Sequence, residues 1–328
     1  MDIFFGYATA LDYLRLPAMD RASERPTPWP ADEVCSRFEN ASVPRVNRNT
    51  RDYVRDSLKP SGWPDPSLPA CLIAPSAGAR GQSELYACHV WRPPLPDGAF
   101  LALGPDTFTS SPEFCFAQMA HLLSAPRLAL LGFELCGSYA LAEESPGFRA
   151  RSPLTDVARL AAFIASLGSF KGVKRARLAL SFLMDGAASP MESVLAALLC
   201  APRSLGGYGL PLPRLNARLR LPASVRPMTG SAYFCCDLLW PEARVAVEYD
   251  STMFHTGAER IAADSERRNA LAYLGVDVVS VTRDQLMDSL RMDRVVRLLQ
   301  KTLGADAALA PDDGHLRAAL RRELLAHS

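Results

Sequence analysis

Two neighbouring apolar stretches stand out in the C-terminal half of the chain. The segment Tyr233–Trp240 is aromatic and apolar, and Val245–Tyr249 is β-branched and apolar. The four residues between them, Pro-Glu-Ala-Arg, are typical of a turn. The pattern therefore predicts an antiparallel hairpin. Its expected pairs are Trp240 with Val245, Leu239 with Ala246, and Leu238 with Val247.

This register brings three carboxylates to one side of the hairpin. The next pair is Asp237 with Glu248, and Asp250 points to the same side as Glu248 because side chains alternate with period two. Like charges that face each other directly are destabilising, and a divalent cation that prefers oxygen ligands neutralises them. The register thus predicts a metal site. The alternative is that these acids simply face water at the strand ends.

A cationic strand is predicted just before the hairpin. Residues 215–221 alternate strictly between apolar side chains on one face and polar or basic ones on the other. No acidic residue occurs between Ser193 and Cys236. This segment is a local anion site, and a nucleic-acid backbone is the expected anion. The residues expected to contact it are Arg214, Asn216, Arg218 and Arg220.

Capping residues mark the helices that precede the cationic strand. Ser111 with Pro112 opens one helix, and Ser189-Pro190-Met191-Glu192 opens another with a complete capping box. The capping box gives Glu192 a structural role, with a functional role left open. The elements predicted before the cationic strand are a short helix over 4–16, strands at 85–91 and 99–103, and helices at 112–123, 126–136, 159–167, 173–184 and 190–200.

After the hairpin, the pattern predicts a helix, a strand and further helices. The helix spans 257–274 and ends at Gly275, a residue typical of the position after a helix. The strand 276–282 follows closely and is expected to run parallel to its neighbour. Thr282 then caps the next helix, and the tail 305–328 is expected to hold one peripheral helix.

Composition narrows the class of protein. The chain has 328 residues, 48% of them hydrophobic, and a formal net charge of +1, so a basic surface must be local. It contains no apolar run long enough to cross a membrane and does not begin with a basic signal-peptide segment, so we expect a cytoplasmic protein with no membrane partner. The eight cysteines lack zinc spacing and are expected to be buried, reduced thiols.

The motifs, taken in order, resemble the PD-(D/E)XK (restriction-endonuclease-like) nuclease superfamily, in particular its DUF559, Vsr-like branch. The resemblance covers about residues 186–304. The motifs that carry it are S-P-M-E at 189–192, C-D-L-L-W-P-E at 236–242, V-E-Y-D at 247–250, Phe254-His255, D-S-E-R-R-N at 264–269 and L-G-V-D-V-V-S-V at 274–281. Residues 81–185 resemble the AbiEi-like (type IV antitoxin-like) region, on FTSSPEFCFAQMAHLL at 107–122.

The resemblance implies the fold class and the domain division. The expected class is α/β (α+β), with a restriction-endonuclease-like mixed sheet flanked by helices and a mixed α+β domain before it. The expected divisions are a proline-rich N-terminal region at 1–80, an AbiEi-like domain at 81–185, the nuclease-like domain at 186–304 and a tail at 305–328.

The resemblance also implies a Mg²⁺-dependent or Mn²⁺-dependent phosphodiesterase that acts on nucleic acid, with DNA as the expected substrate. Asp237 and Glu248 would hold the metal, with Asp250 as a further ligand or as the group that orders the attacking water. His255 would act as general acid or base. Arg268, oriented by Asp264, would donate hydrogen bonds to a phosphate oxygen. Glu192 would orient a metal-bound water.

Two departures from the family pattern count against activity, although the first is typical of the DUF559, Vsr-like branch. Asp250 stands where the superfamily has a lysine, and Ser251 stands where the branch has a glycine. The alternative is a catalytically inactive, DNA-binding or antitoxin-type regulator that keeps the nuclease fold. A third hypothesis is a fold remnant that binds a protein toxin.

Overall fold

The structure, a computed structural model, describes residues 2–17, 31–58, 69–143, 147–224, 226, 232–250, 270–304 and 314–326. The chain divides into two compact units. Unit 1 comprises Met1–Leu128, Ala140–Glu143 and Leu154–Leu180, and unit 2 comprises Ala129–Tyr139, Glu144–Pro153 and Ser181–Ser328. Helices and mixed sheets occur together, so the predicted α+β class is confirmed.

Unit 1 contains a five-stranded mixed sheet with the order β3-β2-β1-β5-β4. Its strands are β1 (Ile3–Phe5), β2 (Ala70–Ala74), β3 (Tyr86–Val90), β4 (Phe100–Ala102) and β5 (Thr107–Ser110). Strand β1 pairs antiparallel with β2 and parallel with β5. The two strands predicted in this region, 85–91 and 99–103, are confirmed, whereas β1, β2 and β5 were not predicted.

The predicted helix over 4–16 is wrong in its first part. Ile3–Phe5 forms the central strand of the sheet, and the helix α1 begins at Tyr7 and ends at Arg15. Phe4 stacks on Phe108 at a centroid distance of 4.7 Å, and all three residues of β1 are buried. An apolar run that is buried on both faces has no period-two alternation, so a short strand of this kind cannot be distinguished from a helix by pattern.

Two of the remaining helices before residue 181 begin at a side-chain cap. Ser111 accepts a hydrogen bond from the Phe114 N–H, as predicted, and Asp156 caps the next helix at the Arg159 N–H. The helices are α2 (Ala31–Glu39), α3 (Arg51–Ser57), α4 (Pro112–Met119), α5 (Ala125–Cys136), α6 (Val157–Ser166) and α7 (Val173–Leu180). Two short strands, β6 (Tyr139–Leu141) and β7 (Phe148–Ala150), lie between α5 and α6.

Unit 2 contains a four-stranded sheet with the order β11-β10-β9-β8. Its strands are β8 (Arg214–Arg220), β9 (Tyr233–Trp240), β10 (Val245–Asp250) and β11 (Asp277–Thr282). Strands β8, β9 and β10 are antiparallel neighbours, and β11 runs parallel to β10. The predicted hairpin, the predicted strand after it and the parallel pairing are all confirmed.

Two helices of unit 2 begin where capping residues predict them, one after Ser189 and one after Thr282. The helices of unit 2 are α8 (Pro190–Cys200), α9 (Arg283–Met287), α10 (Ser289–Leu303) and α11 (Gly314–Leu325). Thr282 and Gln285 form a capping box at the start of α9. Of the predicted helix 257–274, only its last turn lies among the described residues, and Gly275 follows it with φ 66° as expected.

The predicted peripheral helix in the tail is instead part of the core of unit 2. Helix α11 packs against α8 and against the turn Arg203–Leu205. Its buried side chains are Arg317, Leu320, Arg321 and Leu324. This packing could not be predicted from the sequence, because two of the buried residues are arginines and arginine is typical of a solvated face.

The two buried arginines of α11 have different surroundings. Arg317 Nε lies 3.8 Å from Asp293 Oδ1, which also accepts a 2.7 Å hydrogen bond from the Tyr208 hydroxyl. Burial, followed by this hydrogen bond, raises the pKa of Tyr208. Arg321 is only 6% exposed, and none of its three guanidinium nitrogens makes a hydrogen bond within the described residues. A buried charge of this kind opposes folding.

We expect Arg321→Leu to stabilise the protein. Removal of a buried guanidinium without a hydrogen-bonding partner should raise the free energy of unfolding by about 1–3 kcal/mol. Arg317→Leu is the matched control on the same helix, and it should lower that free energy by about 2 kcal/mol because Asp293 loses its cation. Urea unfolding followed by circular dichroism measures both values. Equal destabilisation by the two variants would contradict this account.

Two further findings concern the whole described chain. None of its helices is both long enough and apolar enough to pass through a membrane. All eight cysteines are free, but only four of them are buried, and the expectation of burial is wrong for Cys235, which is exposed while its neighbour Cys236 is buried. The two vicinal thiols therefore lie on opposite faces of β9, as their adjacent positions in a strand predict.

Candidate functional site

The hairpin of unit 2 places Asp237 and Glu248 at the point where its ladder ends. The three predicted pairs are all present, and the last of them is Leu238 with Val247. Beyond it, the Tyr249 N–H donates a 2.8 Å hydrogen bond to Asp237 Oδ2. The Asp237 side chain thus takes a hydrogen bond that a backbone carbonyl accepts in a regular ladder. This bond ties one carboxylate oxygen of Asp237 to the backbone of β10, one residue after Glu248.

The two acids of β10 differ in exposure. Glu248 is half-buried, and its Oε1 atom is buried. Asp250 is exposed at the end of the strand, where it pairs with Thr282 of β11. Burial of an ionised carboxylate is unfavourable without compensation by hydrogen bonds or by a cation. The buried carboxylate of Glu248 therefore needs compensation of its charge more than that of Asp250 does, and Glu248 is the better suited of the two to bind a metal ion.

A three-carboxylate metal group is absent from the described part of the chain. Among the described residues, no three His, Cys, Asp or Glu side chains lie close enough together to hold a metal ion. Asp237 and Glu248 remain as two acids on adjacent strands. Mg²⁺ is usually bound by one or two carboxylates, with water and substrate phosphate completing its shell. The pair fits that requirement through its oxygen donors.

Glu192 at the start of α8 is held by three hydrogen bonds. Its Oε1 atom accepts from the Ser189 hydroxyl at 2.9 Å, and its Oε2 atom accepts from the Ala188 N–H at 2.9 Å and from the Asn216 amide at 2.7 Å. Ser189 also caps the helix at the Glu192 N–H, as predicted. The structural role predicted for Glu192 is confirmed, and its carboxylate ties the start of α8 to strand β8.

Asn216 interrupts the strict alternation predicted for β8. Its φ is 46°, in the left-handed region, and its amide also donates to the Gly186 carbonyl at 2.9 Å. The ladder pairs Leu215 with Leu238 and Ala217 with Cys236, so Asn216 lies opposite Asp237. Its amide nitrogen therefore faces α8 and the 186 turn, while its Oδ1 atom accepts a 3.6 Å hydrogen bond from the Cys235 thiol of β9. The alternation is wrong here because the Asn216 side chain forms hydrogen bonds that a regular pleat would not allow.

We expect the substitutions Asn216→Gly and Asn216→Ala to separate hydrogen bonding from backbone conformation. Both variants lose the bonds to Glu192 and Gly186, which should lower the free energy of unfolding by about 2 kcal/mol. Only alanine adds the strain of a left-handed backbone, so it should cost about 1 kcal/mol more. Thermal and urea unfolding measure the difference. Equal stabilities would show that position 216 does not require a positive φ.

The remaining basic residues of β8 are exposed. Arg214, Arg218 and Arg220 are all open to solvent, and β8 is an edge strand of the described sheet. Arg218 pairs with Cys235 and Arg220 pairs with Tyr233 on β9. The cationic strand predicted from the sequence is thus present beyond the kink at Asn216.

Comparison with known proteins provides few constraints on function. No model of a known protein family matches the chain, and no solved structure matches it. Two Mycobacterium tuberculosis proteins do match, the uncharacterized protein MT2308 of strain CDC 1551 / Oshkosh and the uncharacterized protein Rv2248 of strain ATCC 25618 / H37Rv. Each is 29% identical over 116 residues, which is 35% of this chain and 38% of the relative. The chain therefore spans well under half the length of these relatives.

Arg283 lies at the same end of the sheet as Asp250, and sequence reasoning did not include it among the site residues. It follows Thr282, the β11 partner of Asp250, and its charge acts on the Tyr249 phenol. Burial raises the pKa of Tyr249, the Arg283 charge lowers it and the Asp250 charge raises it. Parallel pairing of β10 with β11 brings Arg283 to this end of the sheet. The available sequence signal was its place directly after the predicted parallel strand.

The other predicted site residues cannot be placed. His255, Asp264 and Arg268 lie outside the described residues, as does Ser251. Their roles stay predictions. The described part of the site therefore consists of Glu192 and Asn216, the pair Asp237 and Glu248, and the exposed Asp250.

Proposed function

We propose that this protein is a divalent-metal-dependent endonuclease that hydrolyses phosphodiester bonds in nucleic acid, with DNA as the expected substrate. The observation that carries the proposal is the placement of Asp237 and Glu248 on adjacent strands at the end of the hairpin ladder, with Asp237 oriented by the Tyr249 N–H. The restriction-endonuclease-like architecture implied by the sequence motifs is part of the same proposal.

Asp237 and Glu248 are the residues that would hold Mg²⁺ or Mn²⁺. Such an ion, when bound, lowers the pKa of a water and neutralises charge on the phosphoryl oxygens. The chain's own contribution is to orient the two carboxylates. The Tyr249 N–H fixes Asp237 Oδ2, and the Asn216–Glu192 bond holds the strand opposite Asp237 in its kinked conformation. Asp250, exposed at the same end of β10, is open to the attacking water.

The cations around the acids support a phosphate substrate. Arg283 lies at the end of β10 and supplies positive charge where the nuclease motif departs from its usual lysine. Arg218 and Arg220 are exposed on the edge strand and form an anion-binding row. Arginine binds phosphate through planar, bidentate hydrogen bonds. Acids and cations therefore occur together on one sheet, as a phosphodiesterase requires.

A nicking assay on supercoiled plasmid tests this function. The purified chain should convert supercoiled DNA to the open-circular or linear form with Mg²⁺ or Mn²⁺, and EDTA should stop the reaction. A parallel arm with a labelled single-stranded RNA and a labelled single-stranded DNA defines the substrate. Absence of metal-dependent cleavage in every arm would refute the proposal.

A second candidate function is a nucleic-acid-binding regulator without turnover. The observation that favours it is the Glu192 carboxylate, which three hydrogen bonds hold in a structural role. A protein of this kind would bind DNA through Arg218 and Arg220 in a salt-dependent manner and would leave the plasmid intact. The same assay, combined with a binding measurement, therefore separates the two functions.

A further inference from the structure

One exposed aromatic residue lies within the arginine row of unit 2. Tyr233, the first residue of β9, is 51% exposed, although large aromatic side chains in strands are usually buried. It pairs directly with Arg220 across the strands, and the next pair on the same face is Cys235 with Arg218. We call these four residues the Tyr233 face. All four are exposed, so the face presents an aromatic ring, a thiol and two guanidinium groups to solvent.

The geometry of the sheet orders these groups in two rows. Cross-strand partners share a face, and residues two apart along a strand return to it after about 7 Å. The kink at Asn216 lies on the side of the row nearer Asp237, because Asn216 faces Asp237 across the strands. Tyr233 is four residues from Asp237 along β9, or about 13 Å. The face thus extends away from the candidate carboxylates along one strand pair.

The chemistry of the face selects for a particular class of ligand. Two guanidinium groups without an acidic neighbour in the sequence from Ser193 to Cys236 attract a polyanion. The exposed Tyr233, directly across from Arg220 on the neighbouring strand, offers a flat apolar surface for stacking. In a duplex the base faces are covered by neighbouring base pairs, whereas unpaired bases can stack on aromatic side chains. A single strand or an unpaired nucleotide can stack a base on the tyrosine ring and place its phosphates at the arginines at the same time.

We propose that the Tyr233 face binds single-stranded nucleic acid, with an unpaired base stacked on Tyr233 and the flanking phosphates at Arg218 and Arg220. The inference rests on the proposed function, because it assigns the substrate class of that site as unpaired nucleotides beside the cleaved bond. DNA and RNA share the bases and phosphates that the face contacts. The experiment therefore includes both.

Fluorescence anisotropy with labelled oligo-dT, oligo-rU and a blunt duplex of equal length tests the stack. EDTA is present, so cleavage does not contribute to the signal. Tyr233→Leu should weaken single-strand affinity about 5- to 150-fold, the factor expected for loss of one base–aromatic stack, and should change duplex affinity less than about twofold. Tyr233→Phe keeps the ring and should retain affinity. Tyr273→Leu removes another exposed tyrosine, 69% exposed, and serves as the matched control.

The arginines have a separate readout. The double variant Arg218→Gln, Arg220→Gln should reduce the slope of log affinity against log salt by about 1.4, because each phosphate contact on a single strand contributes about 0.7. Arg297→Gln removes an exposed arginine on α10 and should leave the slope unchanged. A variant that has lost its fold is recognised beforehand by circular dichroism.

Cys235 gives a direct map of the bound strand. It is the exposed thiol among the eight cysteines, and it is the cross-strand partner of Arg218, two residues from Tyr233 on β9. An oligonucleotide whose tethered base carries an activated disulfide should exchange with the Cys235 thiol, which forms a protein–oligonucleotide disulfide and releases the activating thiol, and Cys235→Ser should abolish the adduct. An oligo containing 5-iodouracil should cross-link on irradiation to the peptide that contains Tyr233.

The outcomes separate this inference from the proposed function. Single-strand affinity that Tyr233→Leu leaves within twofold, or cross-links that map outside β8 and β9, would overturn the inference and leave the nuclease proposal intact. If the unmodified chain binds single strands in a Tyr233-dependent manner but does not cleave nucleic acid, the proposed role of the Tyr233 face is supported and the nuclease proposal is contradicted. Binding to no nucleic acid at all would overturn both.

Discussion

Glu248→Gln is expected to lower the rate of metal-dependent nicking on the order of 10³-fold, because a metal-activated reaction loses several kcal/mol of charge stabilisation. Glutamine has nearly the shape of glutamate, so the half-buried position keeps its packing while the negative charge is lost. The rate is measured on supercoiled plasmid at saturating Mg²⁺. A calorimetric Mn²⁺ titration provides a readout that does not depend on cleavage, and its heat of binding should disappear.

Asp237→Asn is the corresponding variant at the other carboxylate. It removes the negative charge and keeps a hydrogen-bond acceptor. The asparagine side-chain carbonyl can still accept the hydrogen bond from the Tyr249 N–H that Asp237 Oδ2 accepts, so the hairpin should stay folded. The nicking rate should nevertheless fall as far as in Glu248→Gln, because both acids act on the same ion. In the double variant the effects should not add, as expected of residues that act as a unit.

Glu242→Gln is the matched control for both carboxylates. Glu242 is an exposed acid in the turn of the same hairpin, and its loss changes the net charge of the chain by the same amount. Its nicking rate and Mn²⁺ binding should match those of the unmodified chain. Wild-type cleavage by Glu248→Gln, or equal loss in Glu242→Gln, would show that the reaction does not depend on the proposed pair.

Gly206→Ala should destabilise unit 2 by about 3–5 kcal/mol, as the sum of backbone strain and a steric clash. Gly206 has φ 89°, and a Cβ atom there would lie 2.2 Å from the carbonyl oxygen of Leu316 in α11. The obstacle is backbone, so a change of rotamer cannot relieve it. Helix α11 would have to move away from the turn Arg203–Leu205 and expose its buried face.

Gly304→Ala distinguishes the clash from the strain. Gly304 has φ 63°, but a Cβ atom there would meet no heavy atom of the described residues within 4 Å. Only the left-handed backbone opposes alanine at this position, so the expected loss is about 1–2 kcal/mol. Both free energies come from urea unfolding under the same conditions. Similar losses in the two variants would show that the contact between α11 and the 203–206 turn does not contribute to stability.

Local chemistry allowed much of unit 2 to be predicted. The hairpin register followed from period-two alternation and a four-residue turn, and the structure has the three predicted pairs. Ser189 and Thr282 open their helices as their capping signals indicate. These features depend on residues within a few positions of one another, so the sequence contains all the information they need.

The candidate site could be predicted only in part. Alternation predicted Asp237 opposite Glu248, but the ladder ends before that pair and the Tyr249 N–H binds the Asp237 side chain instead. Asn216 was expected in the cationic row, yet its amide turns to Glu192 and Gly186. Each difference arises from a polar side chain that satisfies a backbone group far away in sequence, which no local pattern encodes.

What the sequence by itself determined, then, is where the hairpin strands and the helices capped by Ser111, Ser189 and Thr282 begin, which residues pair in the hairpin and where the acids and arginines cluster. Only the tertiary structure decided that Ile3–Phe5 is a central strand, that α11 is buried against α8, and that Arg283 lies near the end of β10. The physical reason is that these three features depend on contacts between segments distant in the chain. Burial and long-range hydrogen bonds override local preference there.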